Sequence, residues 1–370
     1  MPNKLRRRKR AIVSLCRQFR FSSLPVAVSA AFIACGPGST SGPAPSGPVR
    51  TEQASGTTAL LQAVSPVNDR VVWVSGHAAT WARTLDGGLT WQAARVPGAD
   101  TALQFRDVFG VSADVAYLLS AGNGPASRIY KTTDGGRSWT LQFTNPDPRA
   151  FYDCLDFWDA DRGLAVSDAV EGKLIILATR DGGAHWDHPA IMPDAYEGEG
   201  GFAASGTCLV TRPGGHAWIG TGNGPRARVL HSSDYGATWT ADSTPLASGN
   251  AIGITSVSFR DLRNGIVFGG NVGDNNARGD VVAVTHDGGA SWTLGGRPPF
   301  AGAIFGGTWV PGACTPTAVA VGPRGAAWSR DGGSTWVAID SSAYWAVGFA
   351  SPRAGWAVGP RGRIVKLSGF

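Results

Sequence analysis

The sequence predicts an all-β protein, a seven-bladed β-propeller of four-stranded antiparallel blades closed by an N-terminal strand. Three observations carry that prediction. The first is composition: 52 Gly and 14 Trp in 370 residues with only 16% charged side chains, which suits short strands joined by tight turns and suits a helical bundle badly. The second is a motif, Ser/Thr-x-Asp-x-Gly-x-x-Trp, written six times and ending in Trp91, Trp139, Trp186, Trp239, Trp292 and Trp336. A period near 50 residues marks a repeat architecture. The third is the content of one period. Residues 254–295 read ITSVSFR, a turn, IVFGGN, a loop, VVAVTH, the motif and SWTLGG. Four β-rich runs broken by Gly, Asn and Asp describe one propeller blade.

Taken in order, residues 58–96 form blade 1, and blades 2 to 6 each end in the motif and an outer strand. After Trp336 the chain offers YWAVGFA, WAVGP and RIVKL and then stops, three strands of a seventh blade. The missing strand is expected from residues 49–56, because ring closure leaves no open sheet edge.

The motif joins the third and fourth strands. Its carboxylates (Asp86, Asp134, Asp181, Asp234, Asp287, Asp331) are placed to accept hydrogen bonds from the backbone of their own turn. The hydroxyl two residues earlier helps hold that turn. Gly supplies a positive φ, and each Trp starts an outer strand and buries its ring between blades. These residues close a hairpin and are not reactants.

The pI of 9.3 misleads. Residues 1–35 hold eight basic side chains and no acid; without them 25 basic face 27 acidic residues, a net charge of −2. No nucleic-acid partner follows from charge. The basic start and the apolar residues 21–34 read as a signal peptide, too short to span a membrane. It ends in Phe32-Ile33-Ala34-Cys35, which resembles the lipobox of bacterial lipoproteins, with Phe where Leu is usual. That likeness implies a lipid on Cys35 and a membrane held through it. The domains expected are therefore a leader (1–35), a Gly/Ser/Pro tether (36–48) and the propeller (49–370).

Of the remaining cysteines, Cys154 and Cys208 fall near the starts of innermost strands of consecutive blades. They are expected to be neighbours, with a disulfide open to them in an oxidising compartment, and Cys314 is expected to take no part in that pairing. No Cys-x-x-Cys spacing suggests zinc.

The repeated motif is identified as the Asp-box, or bacterial neuraminidase repeat, found in sialidases and in many non-enzymatic propellers. The blade text AVAVGPRGAAWSRDGG (318–333) and GWAVGPRGRIVKL (355–367) resembles the photosystem II stability/assembly factor family over roughly residues 57–370. Blade 3 and its following loop look more like a wider group of exported bacterial propellers, some called oxidoreductases or glycosyl hydrolases.

Antiparallel order puts the boxes on one face. The second-to-third turns and the blade-to-blade crossings lie on the other, here called the ligand face. Arg128, Arg226, Arg228, Arg278, Arg324, Arg361 and Arg363 collect there. The family likeness implies that such a patch, with Arg324 and Arg361 matching its Gly-x-Arg-Gly turn, contacts a client protein. Guanidinium forks suit carboxylates and acidic peptides.

An acidic sector faces it: Asp153, Asp168, Glu171, Asp194, Glu197 and Glu199, from blade 3 and the long crossing 187–206. It reads as a solvated loop, a calcium or substrate site, or the carboxylate pair of a glycosidase. Tyr152 and Tyr196 beside it faintly resemble a sialidase's Tyr–Glu pair, yet the sialidase Arg-Ile-Pro motif is absent.

His185 and His188, expected on an outer strand in opposite orientations, make no metal pair. Asp274, Asn275, Asn276 and Asp280 offer a weak calcium reading. No cofactor motif occurs, and no metal or cofactor is expected. The leading expectation is an exported, monomeric, non-catalytic scaffold for a protein or acidic peptide of a membrane-associated complex. A sialidase-like glycoside hydrolase or carbohydrate-binding propeller is the alternative.

Overall fold

The computed structural model describes residues 47–370. Seven antiparallel sheets form the ring. Their innermost strands are, in order, Leu61–Pro66, Phe105–Gly110, Tyr152–Phe157, Leu209–Arg212, Ile252–Phe259, Gly306–Trp309 and Ala346–Ser351. Each sheet runs outward in chain order except the seventh. Its outer strand is Val49–Gln53, paired with Ile364–Ser368 in the register Val49↔Ser368 to Gln53↔Ile364. The closing segment of 49–56 thus contributes residues 49–53 as strand, and the chain then turns inward towards blade 1. The leader, Cys35 and almost all of the tether lie outside the described residues.

Blade 3 departs from the four-strand expectation. Its sheet holds three strands, and the fourth is reduced to a bridge between Ala178 and Asp187. Pro189 follows two residues later and has no N–H to continue a ladder. The His188 ring takes over instead, its Nδ1 lying 2.8 Å from the Ile176 carbonyl oxygen. His185 is likewise not on an outer strand: it sits in the turn, 2.6 Å from Asp181, where the other five copies carry Ser or Thr.

The repeated turns have one geometry. In blade 2, Thr132 Oγ1 donates to Asp134 and accepts from Gly136 N (2.9 Å). Asp134 accepts from the backbone and hydroxyl of Ser138 (2.9 and 2.6 Å). Gly136 has φ of 86°, a region costly for a residue with a Cβ. Hydrogen bonds from Ser138 hold the Asp134 carboxyl down to about 2.

Blades pack through clusters shared by neighbours. Trp73 and Trp81 of blade 1 meet Phe105, Leu118 and Tyr130 of blade 2. A fully buried Trp removes on the order of 200 Å² from water, worth about 5 kcal/mol as an upper bound.

The inner strands would expose their channel-side edges, and neighbouring side chains stitch them. Ser65 Oγ accepts from Gly110 N (3.0 Å), Asp107 Oδ2 from Leu155 N (2.7 Å) and Asp156 Oδ2 from Thr211 N (2.7 Å). Ser258 Oγ accepts from Trp309 N (3.2 Å). Burial pushes the Asp156 carboxyl up to about 6 and that of Asp107 well above the carboxylate range. These acids are structural.

Candidate functional site: the ligand face and its crossing

Sequence alternation fails at the top of the channel because the inner strands bulge there. Register shifts fall between Leu61 and Ala63, Phe105 and Asp107, Tyr152 and Cys154, and Ile254 and Ser256. A bulge leaves one residue out of the ladder and re-aims its side chain. The four residues so released are Gln62, Arg106, Asp153 and Thr255, all polar. Gln62 and Arg106 were not singled out by sequence. The only signal was a polar residue one place into an apolar inner strand.

Asp153 meets Asp168, from the end of blade 3's second strand (Gly163–Val170). Asp153 is buried, and burial followed by the Asp168 charge drives its carboxyl well above the usual range. Burial raises Asp168 to about 6. Two neighbouring carboxyls held away from water cannot both ionise cheaply. Arg106 is the cation facing Asp153; burial depresses its own ionisation, opposed by that charge.

The acidic sector is therefore not one solvated loop. Glu171, Asp194 and Glu197 are exposed, the first two paired with Arg149 and Lys173. Asp153, Asp168 and Glu199 turn inward. Glu199 is fully buried and receives Arg228, Nη2 to Oε2 2.6 Å, while the guanidinium lies 4.5 Å over the Tyr196 ring. Arg228 thus leaves the expected open basic patch, its charge spent on the crossing. Tyr196 serves as its platform. Tyr152 is buried against Phe143, which removes it as a nucleophile.

The inner part of the crossing lies across the channel. Arg106 Nη1 donates to Ala203 O (3.2 Å), and Gly200 and Gly201 pack against the side chains of Asp168 and Asp153. Phe202 packs with Phe305, Val272 and Trp345 of blades 5 to 7. Ser205 Oγ donates to Phe305 O (2.7 Å). The Cys154–Cys208 disulfide, Cα atoms 5.9 Å apart, anchors the segment's end. Beneath it, opening on the box face, is a cavity of about 500 Å³ lined by residues including Asp107, Asp156, Arg212, Thr308 and Phe349.

The remaining arginines form an outer rim. Arg226, Arg278 and Arg361 are exposed, and Arg324 donates to Asn276 (2.7 Å). Arg128 Nε donates to Pro125 O (2.7 Å). Arg361 sits at φ 59° on the turn of blade 7. Arg363 is half-buried over the Tyr344 ring at 5.7 Å. Arg361 and Arg363 border a groove of about 750 Å³ between that turn and residues 52–58. Asp280, one of the weak calcium candidates, pairs with Arg297. Among the described residues no group of three or more His, Cys, Asp or Glu side chains is placed to hold a metal.

No family model matches the sequence, and no curated protein matches it. Solved structures do. YCF48 bound to a D1 peptide aligns at 18% identity and a TM-score of 0.59, covering 87% of this chain and 94% of that one. YCF48 from Cyanidioschyzon merolae aligns at 16% identity and a TM-score of 0.59, covering 86% and 98%. An ancestral GH74 enzyme aligns at 12% identity and a TM-score of 0.62, covering 84% of this chain and 45% of that one. At these identities the likeness is one of fold.

Proposed function

We propose that this protein is an exported, lipid-anchored, non-catalytic scaffold whose ligand face captures an acidic peptide or chain terminus of a membrane-associated complex. One observation carries the reading. On the face built from crossings and second-to-third turns, Arg361 and Arg363 border an open groove of about 750 Å³, with Arg324 on the turn of the preceding blade. The exposed Arg361 guanidinium, with half-buried Arg363 beside it, suits carboxylates presented by an extended chain. The YCF48–D1 peptide structure and the Gly-x-Arg-Gly likeness support the same partner class.

The glycoside hydrolase reading has its own observation, the GH74 likeness and a buried carboxyl pair. The pair argues against it. Glycosidases separate their carboxyls by about 5–5.5 Å or about 6.5–9.5 Å to admit a sugar carbon or a water, whereas Asp153 and Asp168 touch and lie under residues 200–206.

The test is fluorescence anisotropy with a labelled acidic peptide. Joint reversal of the exposed Arg324 and Arg361 to Glu is expected to weaken binding at least tenfold with an unchanged melting temperature, since surface changes cost little stability. Reversal of the box-face residues Arg137 and Arg330 is expected to leave binding intact. The opposite pattern, or glycoside hydrolysis lost with Asp153→Asn, defeats the scaffold reading.

A further inference from the structure

We propose that the box-face half of the central channel is a second binding site, for a small carboxylate with an apolar body such as a medium-chain fatty acid. It lies on the opposite face from the groove beside Arg361 and does not depend on it. The cavity there, about 500 Å³, falls within the roughly 300–1,000 Å³ of small-ligand pockets. All seven inner strands contribute to its wall. Ser205, Gly206 and Thr207 line its inner end, so a ligand enters from the box face.

The cavity is lined by two carboxyls, Asp107 and Asp156, and two guanidinium groups, Arg212 and Arg260. The carboxyls are committed to backbone. Asp107 accepts from Val108 N and Leu155 N (both 2.7 Å), and Asp156 from Phe157 N (2.8 Å) and Thr211 N (2.7 Å). Arg212, half-buried at the end of blade 4's inner strand, is bonded only to carbonyl groups. Its Nε donates to Phe259 O (2.9 Å), Nη2 to the same oxygen and Nη1 to Thr211 O (3.1 Å). Among the described residues it enters no ion pair. Burial depresses its ionisation, and Asp156 is the acid that opposes this. A guanidinium has five N–H donors, so one on each terminal nitrogen is left for a ligand. That fork suits a carboxylate, and a cation drawn partly out of water gains most from an anion that reaches it. Arg260 adds a second positive charge at the mouth. It is exposed, 5.6 Å over the Trp309 ring, with Asp261 3.5 Å away. Val257, Val347 and Phe349 supply apolar wall, where each buried CH₂ of a ligand strengthens binding about fourfold.

Isothermal titration calorimetry of the intact protein with decanoate tests this. Decylamine has the same body with the opposite charge, and acetate has the same head without the body. One decanoate is expected per chain, with decylamine and acetate weaker by about tenfold or more. Arg212→Gln is expected to weaken decanoate by about tenfold or more. Arg361→Glu, on the ligand face, is expected to leave it unchanged, which separates this site from the groove. No saturable binding, equal binding of decylamine, an affinity unmoved by Arg212→Gln, or one lost with Arg361→Glu overturns the proposal. Should Arg212→Gln not fold, the Arg212 Nε–H resonance of the wild type decides. It is expected to shift with decanoate occupancy, and an unmoved resonance overturns the proposal.

Discussion

Glu199 and Arg228 form an ion pair of 2.6 Å in which the carboxylate is wholly buried and the guanidinium nearly so. The pair ties the long crossing to the third strand of blade 4 (Arg228–Ser232). Thr221 adds a 2.6 Å hydrogen bond to the same carboxylate. Removing one partner strands the other charge away from water. Glu199→Ala is therefore expected to cost about 3 kcal/mol by urea titration. Arg226→Ala, an exposed neighbour, should cost less than about 0.5 kcal/mol.

The Cys154–Cys208 disulfide closes a loop across 54 residues of sequence. Chain-entropy reasoning assigns such a loop about 4 kcal/mol. The double variant Cys154→Ala/Cys208→Ala should lose stability of that order in denaturant titration under oxidising conditions. Reducing agent should lower the wild type towards the variant and leave the variant unmoved.

Deleting residues 47–53 opens blade 7. It removes the five-residue pairing with Ile364–Ser368 and the Gln53 partner of the Trp91 ring nitrogen (3.0 Å). A stability loss of about 3 kcal/mol is expected, together with concentration-dependent association through the exposed edge. Light scattering reads the second effect.

The repeated turns contribute stability that acid removes. Asp134, held at about 2 by Ser138, is depressed in the folded chain. Its contribution is full above the ordinary carboxylate value and lost as pH falls through about 2. Asp134→Asn is expected to lower the melting temperature at pH 7 and to narrow the gap from wild type as pH approaches 2.

Cys35 is expected to carry the lipid. Cys35→Ala should move the protein from the membrane fraction to the soluble fraction. Unchanged fractionation with an unmodified wild-type N-terminus would sink the expectation.

The ring was legible in the sequence because its causes are local and repeated. Six turns with Asp, Gly and Trp at fixed offsets specify six hairpins. Edge closure then demands that the last three strands of the chain find a fourth, which Val49–Gln53 supplies. The proximity of Cys154 and Cys208 was legible for the same reason, since equal positions in consecutive blades meet at the channel. What the sequence could not decide was which charged side chains face water. Glu197 and Glu199 are two residues apart in one loop, yet one is exposed and the other buried against Arg228. Asp153 and Asp168 join only because a bulge turns the first inward while strand pairing brings up the second. Those outcomes depend on how the crossing 187–206 folds back over the ring, which no local period encodes. Repetition determined the scaffold; long-range packing alone decided which acids were buried side by side and which arginines stayed exposed.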